Sequence, residues 1–217
     1  MRSWPGPAAV AGAGTTVPEF SSSTATFALL AIVPIVLVVA TAFAKSSVLL
    51  GAVRTGLGAE ALLPMPVVLA LAMVVTAIVM APPAAAVLGE IDARGGPAAI
   101  DGVSGWWDTA APWLEFLQRH ADGDELSFFA ELQARGAEDP LVIVPAFLVT
   151  ELREALSMAV VVLVPLVVVD LLVAQAVTLL GFAQLQTALV SVPLKLLLFL
   201  AVGGWGVVIG GLVEGYR

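Results

Sequence analysis

The sequence has no cysteine, which excludes disulfides and thiolate-held metals. Histidine is almost as scarce: His120 is the only imidazole in 217 residues. A histidine-rich metal centre, a proton relay and a nucleophile, base and orienter triad are therefore not expected. Charged residues make up only 12% of the chain against 60% apolar, and the mean hydropathy of +1.04 lies far above that of a water-soluble domain. No phosphate-cradling GxxxxGKS/T segment occurs, so nucleotide hydrolysis is not expected here. The basic residues are too few and too scattered to hold nucleic acid. Intramembrane aspartyl proteolysis needs two carboxylates in apolar segments, and Asp170 is the only central one. These absences point away from an enzyme, and no cofactor is expected.

What is present is uncharged length. Between Glu19 and Lys45 lie 25 uncharged residues, with a dense apolar core from Phe27 to Ala44. Between Glu60 and Glu90 lie 29 more, with Pro64 and Pro66 at the start and Pro82 and Pro83 near the end. From Ala155 to Val213 only Asp170 and Lys195 interrupt 59 residues, enough for two helices joined at Gly181, Gln184, Gln186 and Thr187. The spacing predicts an all-α membrane protein of about four long hydrophobic helices in two helical hairpins. A flexible lead-in occupies 1–26 and the first hairpin 27–89. An acidic, mostly helical insertion fills 90–140. The second hairpin occupies 141–217, with helices over Pro145–Leu180 and Thr187–Val213. The lead-in has no compact apolar signal region.

Glu90 to Asp139 carries eleven carboxylates against three arginines, the same net charge as the whole chain. Lys45 and Arg54 fall in the short connection between segments one and two, so the positive-inside rule places that connection in the cytoplasm and the acidic insertion in the periplasm. Trp106, Trp107, Trp113, Phe116, Phe128 and Phe129 suggest that the insertion folds into short helices packed partly on itself, with Trp106 and Trp107 as alternative bilayer-interface markers. Gly206 with Gly210 and Gly211 with Gly215 offer close helix packing in segment four.

Two charges sit where hydrocarbon is expected. Each costs roughly 2.5–3.5 kcal/mol there, so Asp170 and Lys195 need partners or water. They are equidistant from the predicted turn, about 18 Å from its tip, which suggests a pair within the hairpin or between subunits. Glu151 and Arg153 stand two residues apart on a helix and so face different neighbours.

The order of unusual features is itself informative. Pro34 is followed by Thr41-Ala-Phe43-Ala-Lys45, Val53-Arg54-Thr-Gly-Leu57-Gly58 and Thr76-Ala-Ile-Val-Met80-Ala-Pro82. Then come PAFLVTELREAL (Pro145 to Leu156), PLVVVDLLVAQAV (Pro165 to Val177), LLGFAQLQTALVSVPLKLLLF (Leu179 to Phe199) and GGW at Gly203 to Trp205. This order resembles the FliP/SctR family of type III secretion export gates, flagellar or injectisome. The resemblance runs from Phe27 to Tyr216 and is densest after Pro145.

The resemblance implies a core subunit of a protein-conducting pore for unfolded secretion substrates in the bacterial inner membrane. Five copies would assemble with four FliQ/SctS-like subunits and one FliR/SctT-like subunit, beside SctU/FlhB-like and SctV/FlhA-like export proteins. Asp170, Lys195, Glu151 and Arg153 would then lie buried or at subunit contacts. The family seals its channel with methionines in the short loop between the last two helices. Here that loop reads Phe182, Ala183, Gln184 and Leu185, so an apolar plug is expected in place of a thioether seal. The absence of a signal-like start leans toward the injectisome branch. A rival reading is a small-solute secondary transporter using Asp170 as coupling carboxylate, which predicts inverted repeats; none is evident.

Overall fold

A computed structural model describes residues 31, 34–182 and 184–216, without the side chain of Val103. The lead-in and, of predicted segment one, residues 27–30, 32 and 33 lie outside the described residues. Of residues 1–35, positions 31, 34 and 35 are helical. All that follows concerns 36–217, which form one compact unit. Among the described residues the unit is entirely helical, with no strand.

Helix α1 spans Phe43–Leu57. Ser46, Leu49, Leu50, Val53 and Leu57 recur at three- and four-residue spacing and form its buried stripe. It ends at Gly58, whose left-handed conformation and N–H to the Arg54 and Thr55 carbonyls close the last turn. This corrects the expected topology. Lys45 and Arg54 were expected in a connecting loop, yet both belong to a packed helix. Their apolar neighbours repeat at helical spacing, and the charges alone had suggested a loop. Arg54 still shapes the true connection: its Nε donates to the Leu63 carbonyl at 2.5 Å.

Helix α2, Met65–Ala93, starts behind Pro64 with Pro66 in its first turn and runs through Pro82 and Pro83. Its buried face is Val68, Ala72, Val75, Thr76, Val79 and Met80, against α1. After a short 3-10 turn at Pro97–Ala99 come α3 (Gly102–Thr109), α4 (Ala111–His120) and α5 (Gly123–Gln133). The insertion packs less on itself than on the long helices: α4 lies on α2 and the next helix, and α5 on that same helix. Trp113 adds a tie, its indole donating to the Ala40 carbonyl at 2.9 Å. Trp106 and Trp107 stay half-exposed on α3.

Helix α6, Pro140–Leu179, has 40 residues and is therefore about 60 Å long, twice a hydrocarbon core. Asp139 caps it by accepting from Leu141 N at 2.9 Å, and neither Pro145 nor Pro165 breaks it. α6 runs parallel to α1: Lys45 faces Glu154, and Gly56 faces Leu163 and Leu166. After the turn at Gly181 the chain returns as α7, Ala188–Ala201, and α8, Gly204–Glu214.

The predicted single helix over Thr187–Val213 is not what forms. α7 and α8 meet at 60°, because Gly203 takes a left-handed conformation (φ +64°) that L side chains avoid. The Phe199 ring lies so close to Gly204 that a Cβ there would overlap it. By contrast, a Cβ on Gly206, Gly210 or Gly211 would meet nothing within 4 Å, so the predicted small-residue packing is not made inside this chain. Two helices, α2 and α6, are long and apolar enough to cross a membrane, and the bent α7–α8 pair makes a third candidate.

Candidate functional site

Two lysine–carboxylate clusters sit at opposite ends of α1, roughly 16 Å apart along its axis. The first closes the α6–α7 hairpin. Lys195 Nζ stands 3.0 Å from Asp170 Oδ2 and 2.8 Å from the Gly56 carbonyl. Gly56 lies in the last turn of α1, where carbonyls lack helical partners and the helix dipole favours a cation. The two groups are unequally buried: the Lys195 side chain is 6% exposed and Asp170 45%. One ammonium thus joins three helices and leaves a carboxylate facing outward.

Asp170 sits in a band where Val160, Val164, Val167, Val168, Leu171 and Leu172 are all exposed in the single chain. Past the end of α6, Phe182 is 56% exposed and Leu185 and Gln184 are also open. Ala183 lies outside the described residues.

The second cluster holds one buried carboxylate, Glu151, and one that is 46% exposed, Glu154. Lys45 is fully buried, Glu151 is 1% exposed, and their charged atoms stand 3.8 Å apart. Lys45 Nζ donates to Glu154 and lies 4.4 Å from the centre of the Tyr216 ring. The Tyr216 hydroxyl donates to Glu151. Burial first, then the Glu151 charge, pushes this phenol well above its usual range, so it remains a donor. Arg153, 49% exposed, points away from Glu151 and bridges Asp122 at 3.0 Å and Glu125 at 3.3 Å. Beside it Thr150 Oγ1 accepts from Asp122 N at 2.9 Å. These contacts hold the α4–α5 corner on α6.

Lys45 was read from sequence as a topology marker and a motif residue, and neither it nor Tyr216 was proposed as part of a site. The signal for Lys45 was available, since a lysine amid Leu, Val and Ala at helical spacing carries the same desolvation cost that drew attention to Lys195. Tyr216 offered none, because a contact 65 residues from Glu151 has no local pattern.

Among the described residues, an all-helical fold with two to three apolar helices of membrane-crossing length, and a lysine neutralised between two of them, defines an integral membrane protein. Similarity narrows the class. The model of the FliP family matches residues 26–212, and the chain belongs to that family. It is 35% identical over 201 residues to the flagellar biosynthetic protein FliP of Caulobacter vibrioides, covering 87% of this chain and 73% of that one. It is 34% identical over 214 residues to the hypersensitivity response secretion protein HrcR of Ralstonia nicotianae, with 92% and 98% covered. The virulence protein YscR of Salmonella typhimurium is 29% identical over 203 residues, with 87% and 93% covered. The chain is an export apparatus protein of flagellar or type III secretion systems, a non-enzymatic component.

Proposed function

We propose that the chain is a wall subunit of the export gate, lining with sibling copies a conduit for unfolded secretion substrates. The observation that carries this is Asp170. A half-exposed carboxylate in an open apolar band is costly against lipid and inexpensive against protein or channel water. The exposed valines and leucines around it then serve as contacts with neighbouring subunits: siblings, five copies in all, together with FliQ/SctS-like and FliR/SctT-like subunits. SctU/FlhB-like and SctV/FlhA-like proteins complete the apparatus. Asp170 with Lys195, and Arg153 beside Glu151, lie at or near these contacts. The transporter reading is weaker because Asp170 already neutralises Lys195 and is not free to bind a coupling ion.

The architecture in this reading is two hairpins separated by the 90–140 insertion. With Arg54 left on the cytoplasmic side of α2, the insertion is periplasmic and the protein multi-pass in the inner membrane. The gate is the loop Phe182, Ala183, Gln184 and Leu185, whose apolar side chains dewet a constriction at rest. Energy comes from partner subunits. The test is ion leakage through the assembled complex in vesicles. Phe182→Ala raises it in this account, and permeability equal to that of the unmodified complex removes Phe182 from the gate.

A further inference from the structure

Tyr216 is the only tyrosine in the chain, and three packed elements converge on it. Its hydroxyl donates to Glu151 on α6, and its ring lies over the Lys45 ammonium of α1. The ring also stacks with Phe116 at 6.0 Å and lies 5.3 Å from His120, both on α4. Gly215 permits this approach: a Cβ at that position would stand only 3.3 Å from Lys45 Nζ and would press on the ammonium. The helix itself does not require these contacts, since α8 has already ended at Glu214.

We propose that residues 215–216 form a strap that closes over the buried Lys45–Glu151 pair and, through the same ring, keeps α4 of the acidic insertion docked on α6. Strap release admits water to the lysine and loosens α4 in a single event. The strap is weak enough to open while the helices beneath stay packed. It is held by one charge-assisted hydrogen bond, a cation–π contact and aromatic stacking, whereas α1 and α6 share a continuous apolar seam. Arg119, Asp122, Thr150 and Glu154 line the polar pocket beside the strap, so its opening leads directly to solvent.

The test is limited trypsin digestion of the full chain in its detergent-solubilised assembly. Cleavage after Arg119 on α4 is compared with cleavage after Arg54 on α1. Loss of a hydrogen bond to a buried carboxylate raises the open population, and Tyr216→Phe cleaves at Arg119 roughly tenfold faster than the unmodified chain. Tyr216→Ala, which also removes the ring, is faster still, and cleavage at Arg54 does not change in either variant. Equal rates at Arg119 in all three chains overturn the proposal. So does a parallel rise at Arg54, because the event is then global unfolding and the strap has no local role.

Discussion

The two ends of α1 use one pairing, lysine with carboxylate, under opposite conditions. At the start of the helix Lys45 is fully buried against Glu151, itself buried, with Tyr216 over the pair and Glu154 half-exposed beside it, and the acidic insertion is tied down there. At its end Lys195 is enclosed but Asp170 faces outward, among exposed valines and leucines and ahead of an open turn. The first end has a buried carboxylate, Glu151, to neutralise its lysine within the chain, and its exposed Glu154 faces a polar pocket lined by Arg119 and Asp122. The second is left for something else to complete. A carboxylate exposed among apolar side chains is costly against lipid, so Asp170 marks the side on which other molecules belong.

The sharpest way to break this contrast is at the buried end. Lys45→Met leaves Glu151 buried without its cation and is expected to cost about 3–5 kcal/mol, seen as poor accumulation and a lower unfolding midpoint in detergent. Lys45→Met combined with Glu151→Gln recovers part of that loss. If Lys45→Met alone melts like the unmodified chain, the start of α1 is not the buried end. At the open end the effect is smaller. Lys195→Met also strands the Gly56 carbonyl, but Asp170 retains access to water, and a loss of about 1–2 kcal/mol is expected. Asp170→Asn with Lys195→Met is less harmful than Lys195→Met alone, and strictly additive losses would rule out their mutual neutralisation.

The remaining expectations lie at the surface. Arg153→Gln removes two half-exposed ion pairs and is expected to shift stability by less than about 1 kcal/mol. A larger shift in the melting midpoint would mean that the α4–α5 corner depends on Arg153. Asp139 gives the smallest effect. The Arg135 side-chain hydrogen bond, aided by Leu141 N–H, holds its pKa below the usual carboxylate value. Its contribution is therefore present above the unfolded pKa and lost as pH falls through the lower folded one. Amide exchange in the first turn of α6 reads this as fraying in acid, and Asp139→Asn abolishes that acid dependence.

Legibility in the sequence followed apolar length more closely than direction. The uncharged run between Glu60 and Glu90 marks α2 well, and α2 outlasts it by four residues, Glu90 to Ala93, because Glu90 and Asp92 are compatible with a helix end in water. The turn at Gly181 was visible as polar residues between two apolar blocks. α1 was not, because a loop lysine and a buried neutralised lysine look alike without knowledge of Glu154, more than a hundred residues away. The 60° break was also hidden, since Val202-Gly203-Gly204 lies inside an apolar run whose hydropathy carries no information about backbone angle.

The central claim is that the open end is covered by other subunits around a conduit. Single-particle imaging of the complex purified from membranes measures this most directly. The account predicts several copies of the chain around a central channel, with Asp170 at a protein or channel-water boundary. A homogeneous population of solitary chains in lipid, with Asp170 touching only Lys195, would contradict it.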